Sequence, residues 1–242
     1  MKIAVYGDSF VEMMAPKQTD QPTWISMLVQ DLGATHVDWY GQGGSSTYFS
    51  YQKILDTADQ YDRIIWAVTE PVRYPVRVPR IQPNPHLGWI STPDIVGYAD
   101  PDIRSALEGW YKMNDPDFMK TVQQLMIQEV LKLYPTTVLI PCFSQSLPRA
   151  VRKSTGWGEW CLQDICHMFT QHYFGRNRIR TLTEPMSEQH NMVHHMPIDW
   201  HEIVADYVYQ VVTGNGRLWT LRINQMPALK YPLNTYMEYD QS

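Results

Sequence analysis

Short β-prone runs alternate with longer helix-like segments along most of this sequence. The predicted strands cover residues 2–6, 35–40, 63–69, 137–140 and 179–182. The predicted helices cover residues 22–33, 46–59, 103–113, 118–133, 159–173 and 197–212. The third strand has the continuous apolar run of a strand that is buried on both faces. Strands that alternate with helices predict an α/β fold, in which a parallel sheet is sandwiched between helices.

Proline interrupts this pattern between residues 71 and 101, where seven prolines occur. Because proline lacks an N–H donor and disrupts helices, this density excludes a regular helix or an inner strand. The stretch predicts an irregular insertion over the strand ends, and long loops of this kind are often functional. We expect residues 1–213 to form one domain that carries this insertion, and residues 214–242 to form a C-terminal extension or arm.

Charge and composition exclude several classes of partner. The formal net charge is -5, without a run of Lys or Arg, so nucleic acid is not an expected partner. No stretch approaches the roughly 20 apolar residues that span a bilayer, so no membrane association is expected. The N-terminal residues enter the first predicted strand without the pattern of a secretory signal, so the expected location is cytoplasmic. Cys142, Cys161 and Cys166 form no Cys-x-x-Cys pair and are expected to be buried thiols.

The first candidate functional residue is Ser9, in the segment Gly7-Asp8-Ser9. Ligands of parallel sheets bind at the carboxyl ends of the strands, and this segment directly follows the first predicted strand. A serine on such a tight turn exposes its hydroxyl, and its own N–H can help to bind an oxyanion. Asp8 is expected to hold the turn by accepting hydrogen bonds from nearby backbone amides. The alternative interpretation is an ordinary turn.

The second candidate segment is Gly41-Gln42-Gly43-Gly44, after the second predicted strand. Clustered glycines allow the backbone to approach a ligand closely, so the N–H of Gly44 is a candidate oxyanion donor. A phosphate loop and a simple helix N-cap are the alternatives. The glycine motifs of nucleotide-binding loops are absent, which disfavours the phosphate loop.

The third candidate segment lies at the entry to the last predicted helix. His195 precedes Pro197, on backbone that is not yet helical, and a neutral imidazole there can accept the proton of a serine. His201 lies inside the helix, on the side shared with Val204, Ala205 and Val208, so a structural role is expected. A metal site is the alternative, with ligands drawn from His190, His194, His195, His201 and Glu188. The zinc motif His-Glu-x-x-His is absent, so no metal and no cofactor are expected.

Together these segments resemble the SGNH family of serine hydrolases, which is named for blocks that carry Ser, Gly, Asn and His. Gly7-Asp8-Ser9 is similar to the first block, and the spacing of Gly41, Gly44 and Thr47 is similar to the second. His195, Pro197 and Ala205 match the fourth block without a gap. The resemblance spans residues 2–213. It implies a flavodoxin-like three-layer α/β/α sandwich and the hydrolysis of esters, thioesters or acetylated sugars, usually without a metal.

Two positions depart from the family pattern. The third block usually supplies an Asn as an oxyanion donor, but Glu70 occupies that position here. A carboxylate would repel the oxyanion unless it is protonated or turned away, and the hydroxyl of Thr69 is the candidate replacement. The family also has an Asp three residues before the catalytic His, to orient the imidazole, and Met192 stands there. Glu188, Asn191 or a backbone carbonyl are the alternatives for that task.

The sequence thus predicts a hydrolase in which Ser9 attacks an ester, including an acetyl ester of a carbohydrate, and His195 carries the proton. The substrate is expected to be a small-molecule or carbohydrate ester. Trp39, Trp66 and Trp89 are either cleft residues or, for the first two, core residues. The rival hypothesis is a catalytically impaired binding or assembly protein, with a protein partner on the C-terminal arm. Compact proteins of this kind also resemble ones encoded by bacteriophages, which makes a phage virion the alternative location. A flavodoxin-like ligand binder shares the topology but lacks the phosphate loop.

Overall fold

The computed structural model describes residues 1–11, 23–76, 90–91, 101–143, 145–154, 162 and 198–213. The strands are β1 (Lys2–Gly7), β2 (His36–Gly41), β3 (Arg63–Val68), β4 (Pro75–Val76), β5 (Ile90–Ser91) and β6 (Val138–Pro141). The helices are α1 (Trp24–Asp31), α2 (Thr47–Thr57), α3 (Pro101–Met113), α4 (Pro116–Leu133), α5 (Arg149–Ser154) and α6 (Ile198–Val212). β4 and β5 form a short antiparallel pair within the proline-rich insertion.

Four parallel strands form the main sheet in the order β2-β1-β3-β6. Successive side chains of a strand point to opposite faces, so β1 and β3 each contribute to two apolar cores. The first core joins the sheet to α1 and α6, and it includes Ile3, Val5, Ile65, Trp24, Leu28, Val204 and Val208. The second joins the sheet to α2 and α4, and it includes Ala4, Tyr6, Trp66, Ile54, Ile127 and Val130. Helices therefore cover both faces, which confirms the predicted three-layer α/β/α sandwich.

The order β2-β1-β3 is the beginning of the flavodoxin-like strand order, which confirms that topology for the described strands. After β1 the chain adds β2 on one side, and it then adds β3 on the other. The sheet thus has a topological switch point between β1 and β3. In sheets of this type the crevice at the switch point, outside the carboxyl ends of the strands, is where ligands bind.

The elements agree closely with the predicted ones in the part of the chain that the structure describes. The four strands of the main sheet match their predicted ranges within one residue at each end. The short helix α5 was not predicted, because six residues are too few to show a helical period. The predicted helix 159–173 lies outside the described residues except for Leu162. The predicted strand 179–182 and the arm 214–242 lie outside them entirely.

The tryptophans proposed for a cleft belong to the core where they are described. Trp66 is fully buried in the core between the sheet and α2 and α4. Trp39 is half-buried and packs against the other core. The cleft interpretation is therefore wrong for Trp66, because its position in the middle of β3 is covered by helices. Trp89 lies outside the described residues.

A buried hydrogen bond ties α6 to α1. The Nδ1 atom of His201 accepts the backbone N–H of Trp24 at 2.9 Å, and the His201 side chain is 1% exposed. Trp24 is the first residue of α1, where backbone N–H groups have no partner within the helix. Val204, Ala205 and Val208 are buried on the same side of α6. The prediction that His201 has a structural role on the packed face is confirmed.

Among the helices that the structure describes, none combines the length and the apolar character that crossing a bilayer requires.

Candidate active site

Ser9 occupies the corner of a turn that is anchored by Asp8. The backbone N–H of Val11 donates to the carbonyl oxygen of Asp8 at 2.9 Å, which closes a four-residue turn. The N–H of Phe10 donates to Asp8 Oδ1 at 3.1 Å, and Asp8 is fully buried. The predicted role of Asp8 in holding the turn is confirmed. Ser9 itself is half-buried, at the carboxyl end of β1 and beside the switch point.

Gly7 is the point at which three segments of the site meet. A Cβ atom on Gly7 would lie 2.6 Å from Val11 Cγ2 and 2.9 Å from the Cβ of Ala67 on β3. The carbonyl oxygen of Gly7 accepts from the backbone N–H of Gln42 at 3.2 Å and from Ser45 Oγ at 3.3 Å. The absence of a side chain at this residue therefore lets Val11, in the loop after β1, and Ala67 on β3 lie close to it, while its carbonyl oxygen holds the loop after β2.

We expect Gly7→Ala to destabilise the fold by roughly 1–3 kcal/mol, because the added methyl group overpacks a site without space for it. Urea unfolding measures the effect. Gly109→Ala is the matched control, since a Cβ at this helical position meets nothing within 4 Å. The control should gain about 0.5–1 kcal/mol from the higher helix propensity of alanine. An unchanged unfolding midpoint for Gly7→Ala would contradict the close packing of the Ser9 turn.

The loop after β2 contains a backbone N–H that has no acceptor among the described residues. Gly44 has a φ of 70°, a conformation that glycine adopts without strain, and none of the described residues accepts its N–H. Ser46 is the N-cap residue of α2, and its buried Oγ has no hydrogen-bond partner within the described part of the chain. The N-terminus of a helix carries partial positive charge, which stabilises an anion. This loop therefore suits a developing negative charge.

The loop after β3 holds Thr69 and Glu70 in different environments. Thr69 is 2% exposed, and its hydroxyl has no hydrogen-bond partner among the described residues. The Oε1 atom of Glu70 accepts from the Nε of Arg73 at 3.2 Å, so its carboxylate has a cation beside it. The arrangement leaves the Thr69 hydroxyl available as a donor, whereas Glu70 is engaged by Arg73.

Phe143, two residues after β6, connects the loops of the site. Its ring contacts the ring of Phe10 edge-to-face, with centroids 5.8 Å apart. The guanidinium of Arg73 also lies over the ring of Phe143, 4.9 Å from its centroid. The neighbour of Ser9 and the partner of Glu70 therefore touch one aromatic ring. Phe143 and Arg73 were not predicted as site residues, although the position of Phe143 just after a parallel strand was a usable signal.

The four described candidates thus lie at one edge of the sheet. Ser9 follows β1, Gly44 follows β2, and Thr69 and Glu70 follow β3, as the sequence predicted from their places after the strands. His195 lies outside the described residues, together with Glu188, Asn191, Met192, His190 and His194. Within the described ranges, no three His, Cys, Asp or Glu side chains are grouped as metal ligands. Cys142 is buried and is not in a disulfide, while Cys161 and Cys166 lie outside.

Comparisons with known proteins give only distant similarities. No protein-family model matches the sequence, and no curated protein matches it. One similar solved structure is a protein from Lactobacillus plantarum, with 11% identity and a TM-score of 0.41 over 88% of this chain and 96% of that chain. Another is a member of the lipolytic protein G-D-S-L family from Veillonella parvula, with 12% identity and a TM-score of 0.30 over 93% of this chain and 98% of that chain. Because these identities and TM-scores are low, the fold assignment depends on the sheet and helices of this chain and not on the similar structures.

Proposed function

We infer that this chain is a serine hydrolase of the SGNH type, which cleaves an ester with Ser9 as the nucleophile and His195 as the general base. The observation that carries this proposal is the anchored turn of Ser9 beside the switch point. Asp8 is buried and holds the turn, so the serine has a fixed position at the edge where ligands of such sheets bind. A preorganised nucleophile is what covalent catalysis requires.

The reaction proceeds through an acyl-enzyme. Ser9 Oγ forms a bond to the carbonyl carbon while its proton moves to His195, and the carbonyl oxygen becomes negative. The tetrahedral intermediate then collapses, the bond to the alkoxy group breaks, and His195 returns the proton to the leaving alcohol. In the second half, water attacks the acyl carbon while its proton moves to His195. The bond between the acyl carbon and Ser9 Oγ then breaks, and His195 returns the proton to Ser9 as the acid is released.

Three donors are proposed to bind the oxyanion. They are the N–H of Ser9, the N–H of Gly44 and the hydroxyl of Thr69. The lack of a described acceptor for the Gly44 N–H and of a described partner for the buried Thr69 hydroxyl supports these roles. A buried donor without a partner costs about 1–3 kcal/mol, so such groups are retained where a ligand satisfies them. The substrate is proposed to be an ester of a small molecule or a carbohydrate.

A fluorophosphonate probe tests the proposal directly, because it reacts with serines that are activated as nucleophiles. We expect the folded protein to acquire one label, and digestion followed by mass spectrometry to locate it on Ser9. Protein denatured before exposure to the probe serves as the control and should remain unlabelled. If the folded protein stays unlabelled at high probe concentration, the hydrolase proposal is wrong.

The second candidate function is a catalytically impaired binding or assembly protein, in the cytoplasm or in a phage virion. The ion pair of Glu70 with Arg73 favours it, because a carboxylate stands where the family supplies an amide donor. A partner protein would then bind the C-terminal arm. This candidate predicts a folded protein without an activated serine, whereas the hydrolase predicts slow but measurable turnover.

We expect Glu70→Asn to raise kcat on an activated ester by on the order of tenfold, because it replaces a negative acceptor with an amide donor. The loss of one oxyanion donor in other enzymes costs about 10²–10³ in kcat, so a partial gain of this size is reasonable. Glu108→Gln, on the exposed side of α3, is the matched control and should leave kcat unchanged. A Glu70→Asn variant that is slower than the wild type would show that the carboxylate assists the reaction.

A further inference from the structure

A cavity of about 180 Å³ lies between α2, α4 and the residues that follow β3. Its wall is mostly apolar, with Pro71, Met119, Val122 and Met126 beside the rings of Tyr48 and Tyr74. Met119 is buried, whereas Val122 and Met126 on the same helix are half-buried. The cavity therefore offers apolar surface that a ligand can reach.

The cavity adjoins the loops that carry the proposed oxyanion donors. Pro71 directly follows Glu70, and Thr47 begins α2 three residues after Gly44. Gln123 on α4 also lines it and is 4% exposed. Its Nε2 donates to the Thr47 hydroxyl at 2.8 Å and to the carbonyl oxygen of Thr69 at 2.7 Å. The loops after β2 and β3 are thus joined through one wall of the cavity.

Two polar side chains of the wall, those of Gln123 and Arg73, are already engaged. Both amide hydrogens of Gln123 are used in the two bonds to Thr47 and Thr69. Arg73 is held by the carboxylate of Glu70 and by the ring of Phe143. A ligand in this cavity consequently meets mainly aliphatic and aromatic surface, which favours a neutral apolar group over a charged one.

The volume limits the size of that group. An apolar cavity of about 150 Å³ in another protein binds benzene, so this one accommodates a single aromatic ring or about six aliphatic carbons. We propose that the cavity binds the apolar acyl group of the ester substrate, either a chain of about four to six carbons or one aromatic ring. This inference rests on the proposed hydrolase function and defines its substrate class.

Hydrolysis of a series of 4-nitrophenyl esters tests the acyl preference of the full chain. From acetate to butyrate to hexanoate, kcat/KM should rise by up to about fourfold for each methylene that is buried. The rise should stop at decanoate, whose chain exceeds the cavity.

Val122→Phe fills the cavity and should lower the hexanoate-to-acetate ratio of kcat/KM by about tenfold or more. Leu125→Phe is the matched control on the same helix, because Leu125 is 59% exposed and lies outside the cavity.

A binding measurement makes the test independent of turnover. Benzyl alcohol is titrated into protein with ¹³C-labelled methionine methyl groups, whose signals are assigned with single Met→Leu variants. The signals of Met119 and Met126 should shift, while that of Met113, which is 80% exposed, should not. Shifts without hydrolysis of any ester would support the cavity and reject the hydrolase function. Hydrolysis with an acyl preference that Val122→Phe leaves unchanged, or with no methionine shift, would overturn the cavity proposal alone.

Discussion

Replacement of Ser9 by alanine is expected to abolish phosphonate labelling and to lower ester hydrolysis by roughly 10²-fold. In a complete Ser-His-Asp site, loss of the nucleophile costs about 2 × 10⁶ in kcat, and loss of the acid alone costs about 3 × 10⁴. A serine–histidine pair without the acid therefore retains roughly 10²-fold over a site without the nucleophile. A larger loss would show that a carboxylate does orient His195, with Glu188 as the first candidate.

The fold of this variant should be unchanged. The turn is held by the backbone and side chain of Asp8, and the Ser9 hydroxyl takes no part in those two bonds. Urea unfolding should give a single cooperative transition, which shows that the variant is folded. Ser105→Ala, at an exposed position of α3, is the control and should leave labelling and hydrolysis at the wild-type level. Hydrolysis that persists in a folded, unlabelled Ser9→Ala protein would show that the activity arises elsewhere.

The second large effect is a difference between two histidine variants, one of which should lose activity and the other stability. We expect His195→Ala to lose at least roughly 10²-fold in hydrolysis, because no other base is proposed to take the proton of Ser9. His201→Ala should instead lose at least about 1–3 kcal/mol of unfolding free energy, since it leaves the buried N–H of Trp24 without an acceptor. Its activity per folded molecule should stay within a few-fold of the wild type. Activity and urea unfolding are measured on both variants.

His201→Asn adds a conservative variant to this comparison. The side-chain oxygen of asparagine can accept a hydrogen bond in place of the imidazole nitrogen, so part of the lost stability should return. His201→Leu separates the hydrogen bond from the volume, because leucine is at least as large as asparagine but cannot accept a hydrogen bond. If a folded His195→Ala protein keeps full activity while His201→Ala loses it, the general base has to be reassigned to α6.

The sheet was predictable because the sequence carries two kinds of strand signal, the apolar run of a buried strand and the residues that end a strand. The apolar run of β3 marks a buried parallel strand, and glycine or polar residues mark the carboxyl ends of β1 and β2. The positions of Ser9, Gly44 and Thr69 at one edge of the sheet were predictable for the same reason, since each follows a strand and parallel strands end at one edge. The predicted and observed ends of these strands differ by only one residue, because each strand is ended by residues that lie next to it in the sequence.

Residues whose roles depend on packing between distant segments were not predictable. Gln123 reaches Thr47 across 76 residues of sequence, and nothing in the helical pattern of α4 distinguishes it from Gln124. The contact of Arg73 with Phe143 likewise depends on the order of β3 and β6 in the sheet. Trp66 was ambiguous because an apolar ring on a strand suits a cleft as well as a core. The position of α2 and α4 decides that question, and the local sequence does not encode it.

The bond between Trp24 and His201 also has a consequence for the order of folding, since it spans 177 residues of sequence. Trp24 in turn donates its indole Nε1–H to the carbonyl oxygen of Phe10 at 3.1 Å, next to Ser9. Contacts that close such long loops form late, because the chain loses the entropy of loop closure before the contacts contribute favourable free energy. During synthesis β1 and α1 leave the ribosome well before α6. We therefore expect the local turn of Asp8 to form early in the nascent chain, whereas the contact of Trp24 with Phe10, beside Ser9, becomes fixed only when α6 docks.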